Sequence, residues 1–150
     1  MQKRVTIRRC ASPDNLKQDV RELLNELDRE LFTDRTPCPK DDSYWWFAFY
    51  KGDVIGFAGM HYYPNLNSAF LARVGVLSGY RGLGLQKKFI KLRERQAAKD
   101  GYSRIVTYTS YDNIHSANNL ISCGYKLYVP RFEYGVKNAL YFIKTLDKGI

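Results

Sequence analysis

Long apolar runs are missing from this chain. Nowhere in its 150 residues does a stretch approach the roughly 18 consecutive apolar residues that a membrane-spanning helix needs. The opening Met1–Cys10 carries charge but no apolar segment of the secretory kind, so neither a membrane span nor a secretory leader is expected. Cysteine is scarce as well. Cys10, Cys38 and Cys123 are odd in number and scattered, with no C-x-x-C among them, so no disulfide framework is expected and each thiol reads as a small buried or surface group. No metal is expected, and a reducing cytoplasm is the expected setting. Acidic residues are also few, 15 Asp and Glu against 24 Lys and Arg, for a formal net charge of +9. Such a balance suits nucleic acid or a ligand bearing several phosphates. The basic residues are spread along the chain, and no RNP, KH or zinc-finger pattern accompanies them. A basic nucleic-acid-binding module is therefore the weaker expectation. Repeats, low-complexity tracts and internal boundaries are absent too, which predicts one domain over residues 1–150.

The elements present alternate in type. Val5–Arg9 alternates apolar and basic residues and predicts a short strand. Ser12 and Pro13 read as an N-cap and first helical residue, and the helical spacing of Leu16, Val20, Leu23, Leu24, Leu27 and Leu31 predicts an amphipathic helix over Pro13–Leu31. Phe32–Asp42 reads as a loop with room for a short second helix. Ser43–Tyr50 and Val54–Tyr63 are strands joined by a Lys51-Gly52-Asp53 turn. A third strand follows at Ala69–Leu77, giving an antiparallel meander. A helix over Leu85–Asp100 has Leu85, Phe89, Leu92 and Gln96 on one face, with Ile90 and Ala97 beside it and Arg93 among the basic residues elsewhere. Gly101 stops that helix. A strand at Arg104–Ser110, a short helix from about Ile114 to Cys123, and strands at Lys126–Val129 and Ala139–Thr145 complete the chain. The strand–helix–strand unit from Ala69 to Ser110 implies a right-handed crossover and a parallel pair.

Between the third strand and the long helix stands Tyr80-Arg81-Gly82-Leu83-Gly84-Leu85-Gln86. A glycine-rich turn that opens a helix presents backbone N–H groups at the positive end of the helix dipole, which is a site for an anion and above all for phosphate. A dinucleotide fingerprint would need glycine at Lys87, and a P-loop would need Gly-Lys-Ser/Thr; neither is present. What remains, Arg81-x-x-Gly84-x-Gln86, resembles the R/Q-x-x-G-x-G/A motif of the GNAT superfamily of acyl-CoA-dependent N-acetyltransferases, with Gln86 where Gly or Ala is usual. A second resemblance lies at Asn113, Ser116, Leu120, Gly124 and Tyr125, which match that family's Asn, small residue, Leu and Gly-aromatic spacing.

The resemblance implies an α/β (α+β) fold: a mixed sheet with an antiparallel N-terminal meander, a parallel splayed pair forming the coenzyme cleft, and about four flanking helices. It implies acetyl-CoA as co-substrate and a primary amine as acceptor, with direct attack in a ternary complex. Loop residues Arg81, Gly82, Leu83, Gly84, Leu85, Gln86 and Lys87 would hold the diphosphate. Backbone groups of Val74 and Val76 would pair with the pantetheine arm, Gly75 between them could relax a bulge, and Asn113 and Ser116 would lie near the arm. Asn113 would equally serve as a helix cap. Relatives often dimerise, so a homodimer is among the implied assemblies. The family's usual general acid is a Tyr seven residues after the motif Asn, and here that position is Leu120. Ser116, Tyr111, Tyr108 or a water could take its place, so a coenzyme-binding protein without catalysis is a further alternative. For the base, His61, Asp112 and an ordered water all stand open. Trp45, Trp46, Tyr62, Tyr63, Tyr108 and Tyr111 read first as core and cross-strand packing, while a minority could wall an acceptor pocket and favour a cation.

Overall fold

Strand formation begins where β-branched and aromatic residues concentrate. In the computed structural model, which describes residues 4–13, 15, 17–31 and 43–146, β2 (Ser43–Tyr50) and β3 (Asp53–Tyr63) form an antiparallel hairpin from Ser43↔His61 to Tyr50↔Asp53. Lys51 and Gly52 take φ 48° and 84°, the paired positive values of the two-residue turn whose twist matches that of its strands. β1 (Thr6–Ala11) pairs antiparallel with the other edge of β2, with a register shift between Arg9 and Ala11. The remaining elements are β4 (Ser68–Val76), α2 (Leu85–Lys99), β5 (Arg104–Ser110), α3 (Ile114–Ser122), β6 (Lys126–Leu127) and β7 (Ala139–Thr145), with α1 (Gln18–Leu31) after β1. One seven-stranded sheet results, in the order β1-β2-β3-β4-β5-β7-β6. The expected parallel pair is β4–β5, and β7 pairs antiparallel with both β5 and β6.

The chain divides into two compact units, Met1–His61 with Ala72–Phe89, and Tyr62–Leu71 with Ile90–Ile150. In the first, Leu24 and Leu27 of α1 join Ala11, Trp45, Phe47 and Phe57 in one buried cluster, with Val20, Leu23 and Leu31 packed against it. That is the helical spacing written in the sequence, and burying each such side chain is worth about 1.5–3 kcal/mol. Asp28, on the same helix and nearly buried, is ion-paired with Arg73 at 3.3 Å. In the second unit β5 and β7 pair along their whole length, from Arg104↔Thr145 to Ser110↔Ala139.

Four expectations change. The first helix starts at Gln18, not Pro13, because Ser12 and Asn15 exchange backbone hydrogen bonds (3.0 and 3.3 Å) in a turn, and the helical ladder opens with Arg21 N–H donating to Lys17 O at 3.0 Å. Strand β6 stops at Leu127 rather than Val129: Tyr128 N–H still donates to Tyr141 O at 3.0 Å, but Val129 is 94% exposed and Pro130 has no N–H to extend the ladder. Arg93 does not join the basic outer face of α2; it is 2% exposed, in the row Phe89, Arg93, Ala97. Gly75 is a packing glycine: a Cβ there would lie 2.7 Å from Leu31 Cδ1 and 2.9 Å from the Phe57 ring. Three α-helices and one 3-10 turn (Pro64–Leu66) stand among the described residues. The Phe32–Asp42 loop, with its expected short helix, lies outside them.

Candidate functional site

The glycine segment is shaped by the ends of its two neighbours. Leu77 N–H donates to Ile55 O at 2.8 Å, carrying β4 one residue further against β3, and Tyr80 N–H closes a turn onto Leu77 O at 3.1 Å. Gly79 takes φ 93° at the third position of that turn, where only a residue tolerant of positive φ fits. Gly82 and Gly84 follow at φ 82° and 72°, and a Cβ on either would meet nothing within 4 Å. These glycines answer a backbone demand, not a lack of room. Gly84 O accepts the first bond of α2, from Lys88 N–H at 3.2 Å, so the amides of the preceding turn come before the helical ladder. Leu85 and Phe89 anchor the helix start in the core, while Arg81, Gly82, Gly84 and Lys87 are exposed and Leu83 and Gln86 half-buried. No acid occupies the first turn, yet Lys87 and Lys88 stand there. Cations at a helix N-terminus are unfavourable by a few tenths of a kcal/mol to about 1 kcal/mol each, an arrangement that an anion at the same place would relieve. Arg81 Nε donates to Val76 O over 3.4 Å, at the long limit of such a bond.

Strand β4 carries the other expected contacts. Its ladder with β5 comprises Ser68↔Arg104, Ala69↔Ile105 and Phe70↔Val106, while β4 runs on to Val76 and β5 to Ser110. At the next position Thr107 Oγ1 donates to Leu71 O at 2.9 Å, a side chain standing in for the ladder. Val74 and Val76 are half-buried on either side of buried Gly75.

The second signature lies in the second unit. Asn113 caps α3: its side chain accepts from Ser116 N–H at 3.2 Å, and its own N–H donates to Ser110 O at 2.9 Å. Asp112 Oδ1 accepts from Ser110 Oγ at 2.7 Å. Tyr111 is 60% exposed and its N–H donates to Asn138 O at 2.8 Å. Ser116 is half-buried at the start of α3, one turn before buried Leu120. So Tyr111, Asp112, Asn113 and Ser116 cluster at the β5–α3 junction. His61 belongs to the first unit, paired across the hairpin with buried Ser43. Tyr125 is buried beside a polar group that sequence reasoning missed. Lys144 Nζ donates to both carboxylate oxygens of Glu94 (3.2 and 3.1 Å) and to Cys123 O (2.7 Å), and lies 5.6 Å from the Tyr125 ring centre. Burial, then the neighbouring Glu94 carboxylate, pushes the Tyr125 phenol up. Burial pulls the Arg93 guanidinium down to about 10, against the pull of Tyr125 and Glu94. The missed signal was the i+4 row Leu85, Phe89, Arg93, Ala97, which puts an arginine on an apolar face.

The aromatics divide by role. Trp45 and Trp46 are core. Tyr62 stacks on Tyr102 at 3.9 Å, and its hydroxyl donates to Asp100 Oδ2 at 2.5 Å. Tyr63 and Tyr108 instead join Phe70, Tyr134 and Tyr141 in a chain of ring contacts 4.9–6.2 Å apart. Tyr134 lies between the last two strands, outside any element expected from the sequence. Burial pushes the Tyr63 and Tyr134 phenols up; Tyr108 adds to the first, and the hydrogen bond shared with Tyr128 adds to the second. Among the described residues no three His, Cys, Asp or Glu side chains gather as a metal site, and no helix is long and apolar enough to cross a membrane.

No curated protein matches this sequence. Among solved structures, the ribosomal-protein-S18-alanine N-acetyltransferase of Escherichia coli superposes with a TM-score of 0.73 at 14% identity, over 95% of this chain and 94% of that one. A GNAT-family acetyltransferase of Staphylococcus aureus Mu50 gives 0.72 at 15%, over 96% and 100%. A Bacillus anthracis protein solved in complex with acetyl coenzyme A gives 0.62 at 23%, over 72% and 65%. At these identities the likeness establishes the fold. The sequence model of the acetyltransferase (GNAT) family matches residues 8–125, and the chain belongs to that family.

Proposed function

We propose that the chain is an acetyl-CoA-dependent N-acetyltransferase that passes an acetyl group directly to a primary amine, acting as a single domain. The observation that carries this reading is the start of α2. Glycines at positive φ lead into a helix whose ladder opens only at Lys88, with two lysines and no acid in its first turn. Such a turn suits a diphosphate, held by amides and helix dipole together. Gly82, Leu83, Gly84, Leu85, Gln86 and Lys87 would line it. The Arg81 bond to Val76 O is long, so exchanging it for a charge-assisted phosphate contact is favourable. Backbone groups of Val74 and Val76, beyond the three-pair β4–β5 ladder, would take the peptide-like arm as an added strand. A neighbour of this fold that holds acetyl coenzyme A supports the choice of coenzyme.

The transfer itself needs an amine freed of its proton, a carbonyl whose oxyanion meets donors, and a proton for the leaving thiolate. His61, Asp112 or an ordered water would take the first proton. Ser116, Tyr111, Tyr108 or a water would supply the second, since Leu120 is buried and has no proton to give. Asn113, placed as a cap, would act on the arm only through the α3 start that it fixes. Continuous assay of free thiol release from acetyl-CoA against a panel of primary amines tests the reading. Amine-dependent release supports it. Tight coenzyme binding without release from any amine leaves the non-catalytic alternative that Leu120 motivates.

A further inference from the structure

The segment between β6 and β7 carries apolar side chains that the core does not use. Val129, Phe132 and Val136 are 94%, 66% and 51% exposed. The same segment is nevertheless pinned to the sheet. Tyr134 Oη and Tyr128 Oη share a hydrogen bond of 2.5 Å, and Gly135 N–H donates to Tyr141 Oη at 3.2 Å. Gly135 lies so close to Tyr108 that a Cβ would sit 2.7 Å from the ring. These anchors place the Tyr134 ring steeply inclined to those of Tyr141 (4.9 Å, 71°), Tyr108 (6.2 Å, 66°) and Phe70 (6.1 Å, 83°). Phe70 is the last β4 residue paired with β5, and Tyr108 lies two residues beyond the last paired residue of β5. The ring cluster is thus built where the parallel ladder ends. Tyr63, Phe70, Tyr108 and Tyr134 each keep part of their surface in water.

We propose that this ring cluster is the recognition site for the acceptor, and that the acceptor is a monoamine, bound as its ammonium, on an apolar body. The inference rests on the N-acetyltransferase reading above. Ring faces attract a cation, more strongly the more it is desolvated. Three of the four carboxylates in the described residues of this unit are engaged by other side chains: Glu94 is held by Lys144, Asp100 by Tyr62 and Gln96, and Asp112 by Ser110, while Glu133 lies exposed. The phenols stay neutral well above neutral pH, since burial pushes those of Tyr63 and Tyr134 up. Attraction therefore comes from ring faces and hydroxyl oxygens. The same described residues carry nine Lys and Arg side chains, a field that disfavours a polyamine. Val129, Phe132 and Val136, exposed on the same segment as Tyr134, are the apolar side chains on offer to the body of the acceptor.

Phenethylamine, its neutral analogue 2-phenylethanol, and methylamine are suitable probes, titrated into the full chain without coenzyme and followed through the tyrosine side-chain NMR signals. Phenethylamine is expected to bind about tenfold more tightly than either other probe. Tyr134→Phe should keep that preference and Tyr134→Leu should lose it, with Tyr63→Leu as the second variant should Tyr134→Leu not fold. Equal affinity for phenethylamine and 2-phenylethanol, no binding of phenethylamine, or a preference unmoved in the Leu variants overturns the proposal. Acetyl-CoA affinity is measured on the same samples, so loss of the acceptor site is distinguishable from failure of the coenzyme reading.

Discussion

Glycine serves two opposite needs in this chain. At Gly59 a Cβ would lie 2.6 Å from two carbons of the buried Trp45 ring, a ring with nowhere to go. Gly59→Ala is therefore expected to destabilise the protein by about 1–3 kcal/mol through overpacking, read as a lower urea midpoint at unchanged slope; an unchanged midpoint would mean that the ring yields freely. At Gly84 the demand is φ 72° with open space all round. A side chain there costs about 1–2 kcal/mol of backbone strain and no clash. Both residues read as glycine in the sequence, but only the fold tells which one is short of room. Gly75 illustrates the loss: between two valines it looked like bulge chemistry, and it is a floor under Phe57 and Leu31.

Helix α3 owes its start to one side chain. Asn113 accepts from Ser116 N–H, and removing such a cap costs about 1 kcal/mol. Asn113→Ala should lower stability by that amount, and Asn113→Asp should restore most of it. If Asn113→Ala unfolds at the same urea midpoint as the wild type, the cap contributes nothing. Most elements were legible because period and punctuation agree in them. Helix α2 ends before Gly101 and α3 before Gly124, both at positive φ, and the Lys51-Gly52 hairpin falls where its turn residues stand. The start of α1 was not legible. Ser12-Pro13 is good capping chemistry, but a local backbone turn with Asn15 claimed it first. Arg93 was missed for a related reason: charge suggested the surface, while the row it shares with Phe89 and Ala97 put it inside.

For the whole molecule, the phenols give a signature of folding. Tyr63, Tyr125 and Tyr134 are all pushed above their usual value of 10, chiefly by burial. Below that pH folded and unfolded chains hold the same phenolic protons. Above it the unfolded chain releases protons that the fold retains, so this part of the stability is lost as pH rises. Arg93, lowered to about 10 from 12.5, opposes one of the three: above pH 10 the fold gives up a proton that the unfolded chain keeps. Of twelve tyrosines, at least Tyr125 and Tyr134 should stay un-ionised in the folded protein at about pH 11 while ionising in urea, seen as a deficit in phenolate absorbance. Superimposable folded and unfolded titrations would contradict the burial assigned to them. The glycine turn could be read from the sequence because it is local, a single link between a strand and a helix. The ring cluster could not, since Phe70, Tyr108 and Tyr134 meet only through strand order. The central claim remains that backbone amides at the start of α2 hold a diphosphate. Calorimetric titration of acetyl-CoA into wild type and Gly84→Glu tests it most directly. Saturable binding to the wild type, weakened about a hundredfold or more in a variant whose circular dichroism is unchanged, is the predicted result. A folded Gly84→Glu protein that binds acetyl-CoA as tightly as the wild type, or a wild type that does not bind it, would contradict the account.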